Sequence, residues 1–358
     1  MSSDLPPPFA PYDAEAFNVA YGDVVSHDPH LNTDGEALYR FLLAQSETPP
    51  KLHLHCRATH QETRHRHRTV TNGPNTTTRQ ESYQETVTDL DLLLDLSSLV
   101  QPHVVHWSLP DHDPAYRGNM ISEVDTPVGL RKATRGERKH FNAAQKARLG
   151  NGLPPWHPDD PLVASKSSKT PRQWADEYTA STKRLKEFQY DKVVYGWNFD
   201  ALESAVSSLI VSSRHFNSTS LDVNFRFLGT KVYVRPDNRL SRTLSNKWLK
   251  FLLIITFIFP FIWLYKRFYG GGRWRICGGA YAMRPSTRPP PDLLTGDVLP
   301  KYSESPPPNN GGNSNRIVDN WTTSDEMAWL KQWEATIIHC VASRYQSSTP
   351  FAAPGPWV

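Results

Sequence analysis

The sequence predicts an α+β protein with a small, mainly antiparallel sheet, packed helices, one membrane-embedded helix and disordered proline-rich tails. Three observations predict this class. Apolar and polar residues alternate with a period of two over residues 51–109, as in β-strands. Residues 248–265 form one apolar run. The 30 prolines concentrate in the tails and in the stretches between patterned segments.

Length and composition bound the classes of protein to consider. A chain of 358 residues accommodates one or two domains. The net charge of +4 is small for this length, and no nucleic-acid partner is predicted from it. The three cysteines, Cys56, Cys277 and Cys340, form neither a disulfide framework nor a zinc pattern, which fits a reducing compartment. Cys277 lies ten residues after Arg267, where an ordinary reduced thiol is favoured over an acylated one.

The first part of the chain predicts a tail followed by a helix and a sheet. Residues 1–32 are rich in proline and lack a periodic apolar pattern, which predicts a disordered tail. Residues 33–109 predict a helix plus an antiparallel β region. The helix begins at the N-cap Asp34 and ends near Gln45, and we expect it to pack on the sheet. A turn is predicted at residues 72–75.

Two further regions precede the apolar run. Residues 110–169 are basic, contain proline and are weakly patterned, which predicts a linker. Residues 170–240 predict a second α+β region. Its predicted elements are a helix over 171–188, a strand over 188–195, a helix over 199–212 capped by Asn198, and a hairpin of residues 221–227 and 231–234 around Gly229-Thr230.

The apolar run predicts a transmembrane or membrane-hairpin helix over residues 247–267. Trp248, Trp263 and Tyr265 stand near its two ends, where amphipathic rings prefer the headgroup level, and Lys250 is its one internal charge. Eighteen residues at about 1.5 Å each span roughly 27 Å, which suits the thin bilayer of the endoplasmic reticulum. Pro260 removes one backbone hydrogen bond, so a kinked single span and a re-entrant hairpin both stay open. A buried core helix is the less favoured alternative, because apolar residues occupy every face.

The flanks of this run assign no orientation by themselves. Four basic residues stand on each side, so the positive-inside rule does not discriminate. The first residues form no signal peptide, which predicts that the N-terminal domain stays in the cytosol. The side of the C-terminal tail stays open.

After the apolar run, the sequence predicts a linker, a helix and a tail. Residues 268–320 are rich in proline, glycine and asparagine, which predicts a disordered linker, with residues 270–272 as a flexible exit from the membrane. Residues 321–346 predict an amphipathic helix, with Asp325 and Glu326 in its first turn. This helix packs on the domain or, as the alternative, binds a membrane surface or a partner. Residues 347–358 complete the chain as a tail.

Motifs that carry chemistry are sparse. The sequence holds no phosphate-binding loop, zinc-binding helix or nucleophile motif, and neither a cofactor nor a metal is predicted. Five histidines lie between residues 53 and 67, but the interleaved arginines favour a solvent-facing polar strand over a zinc site. Leu299, Pro300 and Tyr302 match the Leu-Pro-x-Tyr variant of the ligands of WW domains, which bind polyproline-II segments. A WW-domain ubiquitin ligase is therefore a candidate partner, provided that this tail is cytosolic.

Several segments resemble a fungal family of single-anchor membrane proteins of unknown function. They are residues 36–43, 49–50, 59–63, 88–91, 193–199, 260–263 and 329–344. The resemblance covers most of the patterned chain. It implies the architecture and implies no catalytic residues.

The sequence therefore favours a non-enzymatic, membrane-anchored scaffold or adaptor with a cytosolic α+β domain, whose first partner is the lipid bilayer. The alternative is a lipid-binding protein or an enzyme with a site between the domain and the bilayer. Such a site would need a pocket with convergent polar groups, for which Trp197, Asp200 and the histidine strands are candidates. For Trp197 itself, a place in the core is favoured.

Overall fold

The computed structural model describes residues 14–72, 75–156, 167–284 and 314–355, and these confirm the predicted α+β class. The strands are β1 Ala16–Asn18, β2 Val24–Ser26, β3 Lys51–Asn72, β4 Asn75–Asp95, β5 Val100–Ser108, β6 Tyr116–Arg117, β7 Glu123–Thr126, β8 Gly129–Lys132, β9 Leu185–Tyr195, β10 Ser220–Leu228, β11 Lys231–Val234 and β12 Gly271–Met283. The α-helices are α1 Gly35–Ser46, α2 Arg135–Gly150, α3 Pro171–Ala180, α4 Phe199–Ser212, α5 Arg239–Ser245, α6 Lys247–Ile255, α7 Phe259–Tyr265 and α8 Ser314–Ala342.

The chain divides into two compact units, each assembled from separate stretches of sequence. The first unit comprises the described residues of Met1–Leu52, Ser97–Gly196 and Phe227–Met283. The second comprises those of His53–Leu96, Trp197–Arg226 and Arg284–Val358. Each unit therefore contains chain from before and from after the apolar run.

The first unit is built on a mixed sheet of seven strands. The strand order is β1-β2-β11-β9-β12-β5, and β6 pairs with the free part of β12. Two neighbouring pairs are parallel, β2 with β11 and β9 with β12, whereas the other pairs are antiparallel. The strands β11 and β12 thus flank β9 on its two sides, and they are the strands that precede and follow the apolar run.

The core of the first unit lies between this sheet and the helices α1 and α3. Tyr178 of α3 packs edge-on against Phe188 of β9 and Trp274 of β12, with ring centroids 5.5 and 5.2 Å apart. Phe41 and Leu38 of α1 are buried in the same cluster. Because neighbouring strands and helices contribute aromatic rings to one cluster, burial of these large side chains fixes β9 and β12 as the centre of the sheet.

The helix α1 begins where the sequence predicts it. The Asp34 side chain accepts a hydrogen bond from the Glu36 backbone N–H, which satisfies one of the unpaired donors of the first turn. Its packing partners are different from those predicted. The helix packs on α3 and the mixed sheet, whereas most of β3 and all of β4 belong to the second unit.

The second unit combines a long antiparallel ribbon with two helices. The strands β3 and β4 pair from His53 opposite Asp95 to Asn72 opposite Asn75, and β10 adds a third strand. Residues 73 and 74 of the predicted turn lie outside the described residues. The rings of Trp197 and Trp329 meet edge-on with centroids 6.1 Å apart where α4 packs on α8. The prediction that the last helix packs on a folded region is confirmed, although this helix begins at Ser314 rather than near residue 321.

Four predicted irregular segments contain regular structure. Residues 14–32 hold β1 and β2, whose three-residue lengths leave no periodic pattern to detect. The predicted linker at 110–169 holds β6, β7, β8 and α2; the helix α2 buries only Phe141, so it lacks the apolar stripe that reveals most helices. The predicted linker at 268–320 holds β12. The predicted tail after 347 lies along β4, where Phe351 forms a bridge with Leu94.

Two predictions within residues 170–240 are wrong in detail. The helix α3 ends at Ala180, and Leu185 is the buried first residue of β9 rather than part of a helix. The strands β10 and β11 do not form a hairpin, because β10 pairs with β3 while β11 pairs with β2 and β9. The helix α4 is confirmed together with its cap, since the Asn198 side chain accepts from the Ala201 N–H.

Candidate membrane-anchor site

The apolar run folds as two short helices rather than one. The helix α6 begins at the cap Asn246, whose side chain accepts from the Trp248 N–H. It ends near Thr256, and Phe257 follows in a left-handed conformation with φ 57°, which lets the chain change direction before α7. We call the segments Trp248–Ile255 and Phe259–Gly270 the bent pair; their axes differ by 102°. Pro260 lies in the first turn of α7, where its missing N–H costs no helical hydrogen bond, so the bend is at Phe257 and not at the proline.

The bent pair exposes most of its large apolar side chains. Together with the break between its two helices, it exposes fourteen: Trp248, Leu249, Phe251, Leu252, Ile254, Ile255, Phe257, Ile258, Phe261, Trp263, Leu264, Tyr265, Phe268 and Tyr269. Trp248 is 81% exposed and Tyr269 is 83% exposed, so even the rings at the two ends lack cover. Large exposed apolar patches are typical of surfaces that contact a membrane or another protein.

Basic side chains stand beside this apolar surface. The Lys250 ammonium lies 5.5 Å from the centroid of the Phe259 ring, and the Arg267 guanidinium lies 5.6 Å from that of Trp263. Such cation–π contacts hold the charges next to the apolar rings. The bent pair therefore has the composition of a membrane-interface segment, in which cations and aromatic rings border an apolar surface.

No single helix among the described residues is long and apolar enough to cross a membrane. The bent pair passes the same test of length and composition when its two helices are taken together, as a broken span or a re-entrant loop. The nine residues of α6 reach about 14 Å at a rise of about 1.5 Å per residue, which is roughly half of a hydrocarbon core about 30 Å thick.

The bent pair returns directly into the sheet. A Cβ atom on Gly271 would overlap the carbonyl oxygen of Lys266, so a residue with a side chain would disrupt the turn that leads into β12. The three glycines at 270–272 are buried; Gly270 ends the helical segment, and Gly271 and Gly272 begin the central strand β12. The prediction of a flexible exit from the membrane is therefore wrong.

A pocket of about 220 Å³ lies where the bent pair meets the sheet, and we call it the base pocket. Its wall carries Glu187 of β9, which binds two arginines from the neighbouring chain segments. Arg235 Nε lies 2.8 Å from Glu187 Oε2, and Arg273 Nε lies 3.4 Å from Glu187 Oε1. Lys250 of α6 and Lys266, the residue directly after α7, also line the pocket. A cluster of charged side chains, most of them positive, thus lies at the base of the apolar surface.

Glu187 stays ionised in this setting. Burial acts to raise the pKa of its carboxyl group, but the positive charges of Arg235, Lys266 and Arg273 outweigh burial and lower that pKa. The pair is largely enclosed, since the Glu187 side chain is 10% exposed and that of Arg235 is 22% exposed. Removing either partner would leave an uncompensated buried charge.

Lys186 lines the same pocket, but its ammonium group is hydrogen-bonded to backbone carbonyl groups outside it. Its Nζ donates to the carbonyl oxygens of Asn32, Tyr178, Thr179 and Ser181 at 2.8–3.2 Å. Desolvation lowers the pKa of Lys186 to about 8. Its ammonium therefore ties the end of α3 to the chain before α1, and its aliphatic stem lines the pocket.

The sequence did not predict the base pocket. Glu187, Arg235 and Arg273 are far apart along the chain and meet only because β11 and β12 flank β9. One signal was present. Glu187, Gln189 and Asp191 alternate with apolar residues in β9, and Arg273 and Arg275 do so in β12, which places charged groups of opposite sign on one face of two strands.

The second unit shows where the histidines lie. His55 Nε2 is 2.7 Å from Asp91 Oδ1, and His60 Nδ1 is 2.7 Å from Asp89 Oδ2. Among the described residues, no three His, Cys, Asp or Glu side chains group as metal ligands. The Ser218 hydroxyl donates to the same Asp89 oxygen at 2.7 Å. Serine and histidine thus bind one carboxylate rather than each other, so this trio does not form a nucleophile–base pair.

The other candidate residues from the sequence fall into three groups. Leu299, Pro300 and Tyr302 lie outside the described residues. Trp197 is 2% exposed and packs on Trp329, which makes it a core residue rather than the wall of a pocket. Cys277 is buried in β12, so the acylation alternative does not apply to its thiol as folded.

The chain matches none of the family models, curated proteins or solved structures with which it was compared. The resemblance to fungal single-anchor membrane proteins therefore stays a prediction. The local geometry alone carries the functional conclusion.

Proposed function

We propose that the bent pair anchors this protein in a membrane as a re-entrant hairpin, and that both folded units lie on the cytosolic face. One observation carries the proposal: the fourteen large apolar side chains exposed between Trp248 and Tyr269. In water these side chains would be solvated at a considerable free-energy cost, because each large apolar side chain gains about 1.5–3 kcal/mol on full burial. A bilayer supplies the missing apolar contact.

The strand order supports a hairpin over a single span. The strand β11 precedes the bent pair and β12 follows it, and both pair with β9. Val234 of β11 and Trp274 of β12 are both register partners of Phe188, so the chain leaves and re-enters the same end of one sheet. A single crossing would place β12 on the other side of the bilayer from β9.

A re-entrant hairpin removes the length argument for the endoplasmic reticulum. The match to the thin bilayer of the endoplasmic reticulum assumed one straight helix that spans the membrane. Arms of about 14 Å for α6 and at most about 18 Å for Phe259–Gly270 enter the bilayer without crossing it, whatever its total thickness. The proposed location is therefore the cytosolic leaflet of a cellular membrane, and the endoplasmic reticulum has no special support from length.

Co-flotation with phosphatidylcholine vesicles tests the anchor. We expect the full-length protein to float with the vesicles and to resist extraction by carbonate. Phe261→Asp places a charge on the exposed apolar surface, at a cost of about 2.5–3.5 kcal/mol if that site reaches the hydrocarbon, and should reduce vesicle binding by about a hundredfold. The matched control is Val128→Asp, which changes an exposed residue in the turn between β7 and β8 and should leave binding unchanged. Equal binding of the two variants would contradict the anchor.

As a second part of the function, we propose that the protein serves as an adaptor through the segment Leu299–Tyr302. A hairpin returns the chain to the cytosolic side, so the segment after β12 is available to cytosolic WW domains. A WW domain of a ubiquitin ligase titrated with the full-length protein should bind in the micromolar range or tighter, and Tyr302→Ala should abolish the binding because WW grooves recognise the motif's aromatic and proline rings. Unchanged binding of the Tyr302→Ala variant would refute this role.

A further inference from the structure

The base pocket combines a small volume with an excess of positive charge. Its volume of about 220 Å³ is below the range of about 300–1,000 Å³ that is typical of sites for whole small molecules. It borders the bent pair on one side, with Phe259 in its wall, and the strand β9 on the other. A group the size of a lipid headgroup fits this volume better than a complete lipid or a large metabolite.

The charges around the pocket do not balance. Glu187 supplies one negative charge, and it binds Arg235 and Arg273. Lys250 and Lys266 add two more positive charges at the same pocket. Within the part of the chain that the structure describes, these two lysines form no ion pair. Excess positive charge beside an apolar surface is costly unless an anion compensates it.

The basic side chains at the base pocket differ in whether their N–H groups are free to bind an anion. The Lys186 ammonium donates to four carbonyl oxygens, which leaves it no role as a ligand. Arg235 is oriented by Glu187 through its Nε and by the Ser245 hydroxyl through Nη1, at 2.8 and 2.9 Å. Lys250, whose ammonium lies over the Phe259 ring, and Lys266 both line the pocket. A guanidinium held in place, together with two ammonium groups, is a donor set suited to a phosphate with several negative oxygens.

We propose that the base pocket binds a phosphomonoester group, with Lys250 and Lys266 as its ammonium ligands and Arg235 as a fixed guanidinium donor. A lipid headgroup such as that of phosphatidic acid supplies this group, and free phosphate presents the same kind of charged terminal oxygens. The lipid source rests on the proposed membrane anchor, because insertion of the bent pair brings the mouth of the pocket to the headgroup level. The bound headgroup then adds lipid selectivity to an otherwise non-selective apolar anchor.

Vesicle co-flotation of the wild-type protein and of variants at the adjacent residues Lys266 and Arg267 tests the pocket. The vesicles contain phosphatidylcholine alone, phosphatidylcholine with phosphatidylglycerol, or phosphatidylcholine with phosphatidic acid at the same surface charge. The wild-type protein should prefer phosphatidic acid over phosphatidylglycerol by at least about tenfold, as expected for charge-assisted hydrogen bonds. Lys266→Gln should lose that preference. Arg267→Gln is the matched control, because Arg267 is adjacent in sequence and does not itself line the pocket, although its guanidinium packs on Trp263, which does. It should weaken binding to both anionic vesicles by about fivefold.

Calorimetric titration with inorganic phosphate, in a detergent without phospholipid, separates the two sources. Preference for phosphatidic acid supports the lipid headgroup. Phosphate binding that Lys266→Gln abolishes and Arg267→Gln retains, without lipid preference, supports free phosphate as the ligand. Equal losses in the two variants, or no phosphate binding together with equal affinity for both anionic lipids, would overturn the proposal. Failure to bind phosphatidylcholine vesicles would instead reject the membrane anchor, and the phosphate titration would still decide on the pocket.

Discussion

Glu326 is a carboxylic acid enclosed within the second unit. It is 0% exposed, and its Oε1 atom accepts a hydrogen bond from the backbone N–H of Asn198, the cap of α4. Its second oxygen, Oε2, has no hydrogen-bond partner among the described atoms. Burial raises the pKa of Glu326 to about 7, although the Asn198 N–H acts to lower it. The protonated form is therefore the one that suits this site.

The substitution Glu326→Gln tests this protonation. The folded state binds a proton more tightly than the unfolded state, whose pKa is about 4.5, so stability is highest below that value and is lost as pH rises through about 7. The wild-type protein should therefore lose about 2–3 kcal/mol between about pH 5 and about pH 8 through this group, whereas Glu326→Gln should not. Urea denaturation in mild detergent at the two pH values measures the difference.

Glu334→Gln is the matched control for that measurement, because Glu334 is exposed on the same helix. It should keep the pH dependence of the wild-type protein and shift stability by no more than about 0.5 kcal/mol. A Glu326→Gln variant that loses stability with rising pH as steeply as the wild-type protein would show that the carboxyl group is ionised in the fold at neutral pH.

Individual residues also show what the sequence predicts well. The caps Asp34 and Asn198 were predicted because a cap acts on the N–H groups two or three residues away, so its signal is local. Glu326 was predicted to lie in a first helical turn, where the helix dipole favours a negative charge. The helix begins at Ser314 instead, and Glu326 is buried in its middle. That environment depends on α4, which is distant in sequence.

At the scale of elements, the strand β12 is the largest departure from the sequence prediction. Its residues include glycines at 271, 272, 278 and 279, a composition typical of flexible segments. In the structure these glycines allow close approach. A Cβ atom on Gly278 would overlap the carbonyl oxygen of Asp191 and come within 2.7 Å of the Trp107 ring. The pairing of β12 with β9 and β5 is non-local, so no pattern within the segment could predict it.

The same substitution at two glycines should change stability in opposite directions. Gly278→Ala forces a methyl group against backbone and ring atoms at the centre of the sheet, and it should destabilise the protein by about 1–3 kcal/mol or more. Gly136→Ala introduces the same methyl group on α2, where no atom lies within 4 Å, and should stabilise by about 0.5–1 kcal/mol because alanine favours the helix. Urea denaturation midpoints measure both.

A neutral Gly278→Ala variant would contradict the central position of β12 and return residues 271–283 to the status of a linker. The contrast with Gly136→Ala excludes a general effect of glycine replacement on the unfolded chain, since that entropic effect is common to both sites. The measurement therefore tests the strand whose pairing with β9 supports the proposed hairpin.

The sequence predicts helices whose signals are local, such as a cap and apolar residues at helical spacing. It does not predict elements that form only by pairing with distant strands. The helix α4 combines a cap with apolar residues at helical spacing, and the apolar run is evident from composition alone. The sequence predicts a kink at Pro260, because proline removes a helical hydrogen bond. The observed bend is instead a left-handed backbone conformation at Phe257, which the residue type does not predict. Likewise, the base pocket requires three strands to assemble before its charges meet.

At the scale of the whole molecule, the apolar run is an insertion into folded units and not a boundary between domains. The first unit contains β9 from before the run and β12 from after it. The second unit contains α4 from before the run and α8 from after it, joined by the packing of Trp197 on Trp329. Two independent sets of contacts therefore demand that the chain on both sides of the bent pair lies in one compartment.

Protease protection on sealed microsomes tests this requirement, with epitope tags fused at Met1 and Val358. Both tags should be digested while the protein resists carbonate extraction, and Asn320, which heads an Asn-Trp-Thr sequon, should carry no glycan because it stays in the cytosol. A lumenal marker that stays protected controls for leaky vesicles. A protected C-terminal tag would separate α8 from α4 by a bilayer. The Trp197–Trp329 contact and the Glu326–Asn198 hydrogen bond would then both be impossible, so that result would refute the second unit as well as the hairpin.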